Sequence, residues 1–247
     1  MWEFPLHERA GYSPAYIDRN VIINAHELKV LDVETGQELW SYPAEGLYDT
    51  SPVVNGNTIV TVSKDDSVVS SIDTATHELL WEYNLNSDVY STPAVCDGKI
   101  IVLTRDGMLV ALDQTAGKLL WKKEIHEKPD SSAHDILRNT AANFVSSPAI
   151  ADNKIYVGLW SGTFLCLNLE TGKTLWKYHT GGSIVASPAV ADGKVFIAST
   201  DGKIYCFGIN PEPPSRLFEH SFLLLGSTGI IIVIFIIYRI INRKNKK

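Results

Sequence analysis

Four gap-free copies of one segment ending in tryptophan, and short β-rich runs parted by Asx-Gly turns, predict an all-β protein. The architecture they imply is a β-propeller of about five four-stranded blades, with an N-terminal strand closing the last blade. One uncharged C-terminal stretch predicts a single transmembrane helix after it.

The repeat comes first because a fixed period fixes the architecture. Its four copies are Val30-Leu-Asp-Val-Glu-Thr-Gly-Gln-Glu-Leu-Trp40, Ser71-Ile-Asp-Thr-Ala-Thr-His-Glu-Leu-Leu-Trp81, Ala111-Leu-Asp-Gln-Thr-Ala-Gly-Lys-Leu-Leu-Trp121 and Cys166-Leu-Asn-Leu-Glu-Thr-Gly-Lys-Thr-Leu-Trp176. The Trp-to-Trp steps are 41, 40 and 55 residues, so the third interval carries about fifteen extra residues. A hydroxyl-proline pair precedes each copy: Ser13-Pro14, Ser51-Pro52, Thr92-Pro93 and Ser147-Pro148, with a fifth at Ser187-Pro188. Five landmarks mean five units.

Within a unit, runs such as Lys99–Thr104, Met108–Asp113 and Lys118–Lys122 are separated by Asp97-Gly98, Asp106-Gly107 and Thr115-Ala-Gly117. Two-residue hairpins need positive φ at both central positions, which Asn-Gly and Asp-Gly supply. No segment outside the tail keeps a helical period. Four short antiparallel strands, repeated, compose a propeller blade. Trp2, Trp40, Trp81, Trp121 and Trp176 are structural residues that cover the gap to the neighbouring sheet, and Gly36, Gly117 and Gly172 form the tight turns. Burying one indole removes roughly 150–250 Å² from water, worth several kcal/mol.

These residues resemble the PQQ-like β-propeller repeat of quinoprotein dehydrogenases and of the BamB assembly lipoproteins. The resemblance covers about residues 11–210. His77 departs from it at the turn glycine, Asn168 at the Asp, and Val30, Ser71, Cys166 and Cys206 at the Ala position. The fifth unit lacks a Trp strand and meets Pro211, Pro213 and Pro214, whereas Met1-Trp2-Glu3-Phe4 is like an outer strand. Residues 2–4 are therefore expected beside residues 204–209, latching a five-bladed ring. The family more often has seven or eight blades. The runner-up is a fragment of a larger propeller, or one that closes by pairing with another chain through its open sheet edges.

The domain plan is a propeller over residues 1–210, a Pro-rich linker over 211–220, a transmembrane helix over 221–241 and a basic tail over 242–247. Phe222–Tyr238 is seventeen residues without a charge. As a helix it spans about 26 Å, slightly less than a ~30 Å hydrocarbon core, and Arg239 can snorkel. The basic residues after it place the tail in the cytoplasm and the propeller outside. Residues 1–20 hold no apolar signal stretch. Either the true start lies upstream, or insertion is post-translational with the propeller in the cytosol; the first reading keeps the charge rule.

The first 213 residues carry 16 basic and 27 acidic side chains. That balance of −11 argues against a nucleic-acid partner. Cys96, Cys166 and Cys206 form no CxxC pair, and Cys166 and Cys206 are expected as small buried fillers.

Turns between second and third strands share a face with the blade-joining loops. That face carries the candidate partner-binding residues Arg105, Trp160 and Thr200, together with His126, His134 and Asp135 of the insertion His126–Phe144. Trp160 lies outside the repeat and is either a contact residue or packed under the insertion. The spacing of His126, His134 and Asp135 matches no metal motif, so no metal is assigned. Among PQQ-like proteins the dehydrogenases rely on an eight-bladed ring, a vicinal disulfide and a calcium site. This chain has no adjacent Cys pair, no phosphate loop and no HExxH or G-x-S-x-G element. No cofactor and no catalytic residue are therefore expected. The expected function is a non-catalytic, membrane-anchored scaffold for protein or envelope components. The alternative is a quinone (PQQ)-binding oxidoreductase-like protein.

Overall fold

A computed structural model describes residues 1–6, 13–25, 27–43, 50–63, 67–125 and 146–208. The chain divides into two compact units, Met1–Pro213 and Pro214–Lys247. The described residues all belong to the first, and their regular structure is entirely β.

Blade 1 comprises β1 (Ala15–Ile17), β2 (Asn20–Asn24), β3 (Leu28–Asp32) and β4 (Glu38–Tyr42). Blade 2 has β5 (Val53–Asn55), β6 (Thr58–Ser63), β7 (Val68–Asp73) and β8 (Leu79–Asn84). Blade 3 has β9 (Ala94–Cys96), β10 (Lys99–Leu103), β11 (Met108–Asp113) and β12 (Leu119–Glu124). Blade 4 has β13 (Ala149–Ala151), β14 (Lys154–Gly158), β15 (Thr163–Asn168) and β16 (Thr174–His179). Blade 5 has β17 (Ala189–Ala191), β18 (Lys194–Ala198) and β19 (Ile204–Gly208). Every sheet is an antiparallel meander whose strands follow chain order.

Local chemistry explains the meander. At the first hairpin of blades 1, 3, 4 and 5 both loop residues have positive φ: Asp18-Arg19, Asp97-Gly98, Asp152-Asn153 and Asp192-Gly193. The third and fourth strands are joined by an Asx-capped turn. Asp32 Oδ1 accepts from the Thr35 N–H at 2.7 Å, Asp73 Oδ1 from Thr76 at 2.8 Å, Asp113 Oδ1 from Ala116 at 2.7 Å and Asn168 Oδ1 from Thr171 at 3.0 Å. Asn168 thus does the work of the Asp it replaces. These hydrogen bonds hold the Asp32 and Asp73 carboxyls below the usual carboxylate range.

The core lies between blades. Because strand side chains alternate, a central strand such as β10 sends Ile100 and Val102 toward blade 2 and Ile101 and Leu103 toward blade 4. Four such apolar layers join blades 1 to 2, 2 to 3, 3 to 4 and 4 to 5. In each, a Trp of the earlier blade's outer strand packs across the gap. Trp81 Nε1 donates to Gln114 O at 2.9 Å and Trp121 Nε1 to Leu169 O at 3.0 Å. Gly117 and Gly172 seat these indoles. A Cβ at Gly172 would lie 2.7 Å from Trp121 Cε3, and one at Gly117 would press nearer still on Trp81. His77 takes the glycine's place in blade 2, so Trp40 stacks on its imidazole, with ring centroids 4.3 Å apart.

The Ser/Thr-Pro landmarks have a structural role that the sequence did not disclose. The Ser13 N–H donates to Ser51 Oγ at 3.0 Å, Ser51 to Thr92 Oγ1 at 3.2 Å, Thr92 to Ser147 Oγ at 3.0 Å and Ser147 to Ser187 Oγ at 3.0 Å. A rail of hydroxyls therefore ties the innermost strands β1, β5, β9, β13 and β17 in order.

Among the described residues the expected latch is not formed: residues 1–6 make no strand, and the last sheet has three described strands. Trp2 packs instead on Gly36 of blade 1 and donates from Nε1 to Val33 O at 2.9 Å. That is the seat an outer-strand Trp takes on the blade that follows it. Trp2 thus takes an outer-strand position without a described strand pairing to β19. Cys206, expected as buried filler, is exposed, while its counterpart Cys166 is buried and free. Burial pushes the Cys166 thiol up to about 11. The difference arises because blade 5 covers Cys166, and no described residue covers Cys206 in the same way. No described helix is long and apolar enough to cross a membrane; the expected segment 221–241, the linker and the tail lie outside the described residues.

Replacing Gly117 with Ala is expected to cost roughly 2–4 kcal/mol, because it combines positive φ with displacement of Trp81. Gly98→Ala, with a similar φ but open space around it, is expected to cost about 1–2 kcal/mol. Urea unfolding of both variants checks the difference. Equal losses would mean that the indole seat contributes nothing beyond backbone strain.

Candidate functional site

Turns between second and third strands and the blade-joining connectors emerge on one face, as the meander requires. On blade 3 the Arg105 N–H donates to Asp88 O at 2.7 Å. Its guanidinium pairs with Asp88 Oδ2 at 3.1 Å and lies 5.6 Å from the Tyr90 ring centroid. Asp88 and Tyr90 belong to the connector from blade 2, so Arg105 clasps its turn to that connector. Its side chain remains partly exposed, and such an ion pair contributes little stability of its own.

Thr200 does the same on blade 5. Its N–H donates to Ser183 O at 2.9 Å, and its Oγ1 accepts from the Ser183 N–H at 2.8 Å. Between these two, on blade 4, Trp160 occupies the equivalent turn and is 38% exposed. The turn backbone is locked by Gly162, whose N–H donates to Leu159 O at 3.0 Å and whose O accepts from Thr180 N at 2.9 Å. Arg105, Trp160 and Thr200 thus stand at matching positions on three consecutive blades. His126, His134 and Asp135 lie outside the described residues, so their relation to Trp160 is not part of this geometry. Among the described residues no group of three His, Cys, Asp or Glu side chains could hold a metal ion.

The sequence reading missed Asp201 and Tyr205. Asp201 Oδ2 accepts from Tyr205 Oη at 2.6 Å and from the Gly181 N–H at 3.0 Å, and Lys203 Nζ lies 3.6 Å away. The Tyr205 hydroxyl, with backbone donors beside it, holds the Asp201 carboxyl down at about 2, and burial with the facing carboxylate pushes the phenol up to about 12. The signal was available: Asp201-Gly202 aligns with Asp106-Gly107 of blade 3. There Asp106 accepts from Thr104 Oγ1 within its own turn. What the alignment lacked was the connector, since the Gly181 donor comes from a segment twenty residues earlier. Chemically the face offers a fixed acid, a clasped cation and one indole on stiff turns. That set suits recognition of a polar surface with an apolar anchor point.

A carboxyl depressed in the folded state stabilises the fold above its unfolded value near 3.8, and that contribution is lost as pH falls through about 2. Asp201→Asn is therefore expected to lower the melting temperature at pH 6, with the gap to wild type closing between pH 4 and pH 2. Thermal scans across that range test it; a gap independent of pH would show that charge on Asp201 plays no part.

Residues 24–151 and 134–210 match the protein family described as outer membrane protein assembly factor BamB. A BamB of Shewanella oneidensis is 32% identical over 72 residues, 29% of this chain and 18% of that protein. The structure resembles BamB of Moraxella catarrhalis with a TM-score of 0.68 at 19% identity, covering 81% of this chain and 61% of that one. It also resembles the quinohemoprotein alcohol dehydrogenase ADHIIG of Pseudomonas putida HK5, with a TM-score of 0.66 at 15% identity, covering 84% of this chain and 41% of that one. A designed protein, Ika4, is covered completely, with a TM-score of 0.58 at 20% identity. The chain thus spans less than two thirds of the length of both natural propellers. At these identities the structural likeness establishes the fold alone. The family match covers most of the chain, and the chain belongs to the PQQ-like β-propeller family described as outer membrane protein assembly factor BamB.

Proposed function

We propose that this chain is a non-catalytic scaffold that binds protein or envelope components through the face carrying Arg105, Trp160 and Thr200. The observation that carries the reading is the run of three equivalent turns on consecutive blades. Two are clasped to connectors, and the middle one presents a partly exposed indole. A rigid aromatic anchor beside fixed polar groups is the composition of an interface hot spot. Membership of a family described by an assembly factor favours a protein partner. In this reading Phe222–Tyr238 anchors the chain in a membrane, the basic tail faces the cytoplasm and the propeller stands outside.

The likeness to a quinohemoprotein dehydrogenase supports a second reading, a quinone-binding oxidoreductase-like protein. It is the weaker one, because the sequence holds no adjacent cysteine pair. Thermal stabilisation of the chain by PQQ with Ca²⁺ would favour it.

The test of the first reading is affinity capture from solubilised envelopes with the full chain, beside Trp160→Ala and a variant lacking residues 126–144. Loss of captured partners by at least tenfold in Trp160→Ala, with unchanged melting, is the expected result. Identical capture by all three proteins would remove this face from consideration.

A further inference from the structure

The two end blades each leave open one half of an interface that the chain makes four times. In blade 4 the face turned toward blade 5 carries Tyr156, Phe164 and Cys166, buried with Val195, Ile197 and Phe207, and Gly158, buried against Ile184. By register the same face of blade 5 carries Phe196, Ala198, Ile204 and Cys206. Here Ile204 is 78% exposed, Ala198 and Cys206 are exposed and Phe196 is half-buried.

The opposite deficit lies on blade 1. The residues of blade 5 that pack back onto blade 4, Val195 and Ile197, are buried, yet their counterparts Val21 and Ile23 are half-buried and Tyr16 is 64% exposed. Among the neighbouring inner strands, β17 and β1 share no contact as extensive as that of β1 with β5 or of β13 with β17. The hydroxyl rail stops in the same places. The Ser187 N–H and Ser13 Oγ, the donor and acceptor of the next rung, have no partner among the described residues.

The chain's start completes the match. Trp2 already occupies the seat on Gly36 that an upstream blade's outer strand would fill, while residues 1–6 have no strand partner. β19 has β18 on one side and, among the described residues, no strand on the other. An edge lacking its fourth strand and a strand-like segment lacking its sheet are complementary.

We propose that copies of this chain associate head to tail, with the open face of blade 5 on one copy covered by the open face of blade 1 on the next. Ile204 and Cys206 then meet Val21 and Ile23 of the second copy, as Phe164 and Cys166 meet Val195 and Ile197 within one chain. Ser187 N–H reaches Ser13 Oγ of the second copy, and residues 2–4 of that copy run along β19. The occupant is a second copy because this chain carries both halves of the interface and already builds four examples of it. Such a contact joins unlike surfaces, so it propagates until rotation closes it, two copies forming the smallest ring. The inference uses the sheet faces of the end blades and does not rest on the connector-face reading above.

The test uses the full chain in detergent, with Cys96→Ser as background. One protein carries Val21→Cys and Cys206→Ser; the other retains Cys206 and Val21. Mild oxidation of the mixture is expected to give a covalent heterodimer, since neither protein can form the bond alone. In a second measurement, Ile204→Asp is expected to weaken association at least tenfold by light scattering, with melting of the separated chain unchanged. Three results would overturn the proposal: a wild-type chain that stays monomeric over a concentration series, association indifferent to Ile204→Asp, or a chain carrying both Val21→Cys and Cys206 that crosslinks within itself.

Discussion

An indole laid on the turn of the next sheet is the contact on which the rest of the structure depends. Each blade is a small sheet with an outer strand facing water on one side, and such a sheet has too little apolar surface to stand alone. Trp81 and Trp121 reach over Gly117 and Gly172 and end on a carbonyl of the following blade. One side chain thereby fills the outer gap, satisfies its own N–H and sets the distance between sheets. Near the axis the hydroxyl rail does the corresponding work with polar atoms. Successive blades are pinned at both radii, and the apolar layers between them follow.

The variations show how much of this contact is negotiable. Where His77 replaces glycine, the indole keeps its place by stacking on the imidazole. Where Asn168 replaces Asp, an amide oxygen caps the turn just as a carboxylate does. Trp176 is different: its indole is buried among Tyr156, Phe164 and Phe207, and its Nε1 has no hydrogen-bond partner. The acceptor used by Trp121 lies one residue after Asn168, and the matching position in blade 5 is 209, outside the described residues. Aromatic packing holds this last interface, where the earlier three hold smaller aliphatic side chains.

The same repetition shapes the candidate site. Equivalent turns on neighbouring blades come to one face because each blade is a meander with the same handed sequence of strands. The side chains at those turns are free to differ, since the sheet does not need them. Arg105, Trp160 and Thr200 are different answers at one structural position, and their fixity comes from connectors that bond to the turns. Asp201 belongs to this group, held by Tyr205 and the Gly181 N–H.

By itself the sequence determined the unit: four strands, their hairpins and the tight turn that leads into each Trp strand, all written in residues fewer than about fifteen positions apart. Period-two alternation and turn chemistry are local, so they survive reading without coordinates. The exposure of Cys206, the hydroxyl rail and the Asp201–Gly181 clasp were not legible, because each depends on a residue about twenty to fifty-five positions away. Whether residues 2–4 pair with β19 was decided by tertiary structure alone. Closure is the sum of the rotations at successive blade interfaces, and no single residue carries that sum.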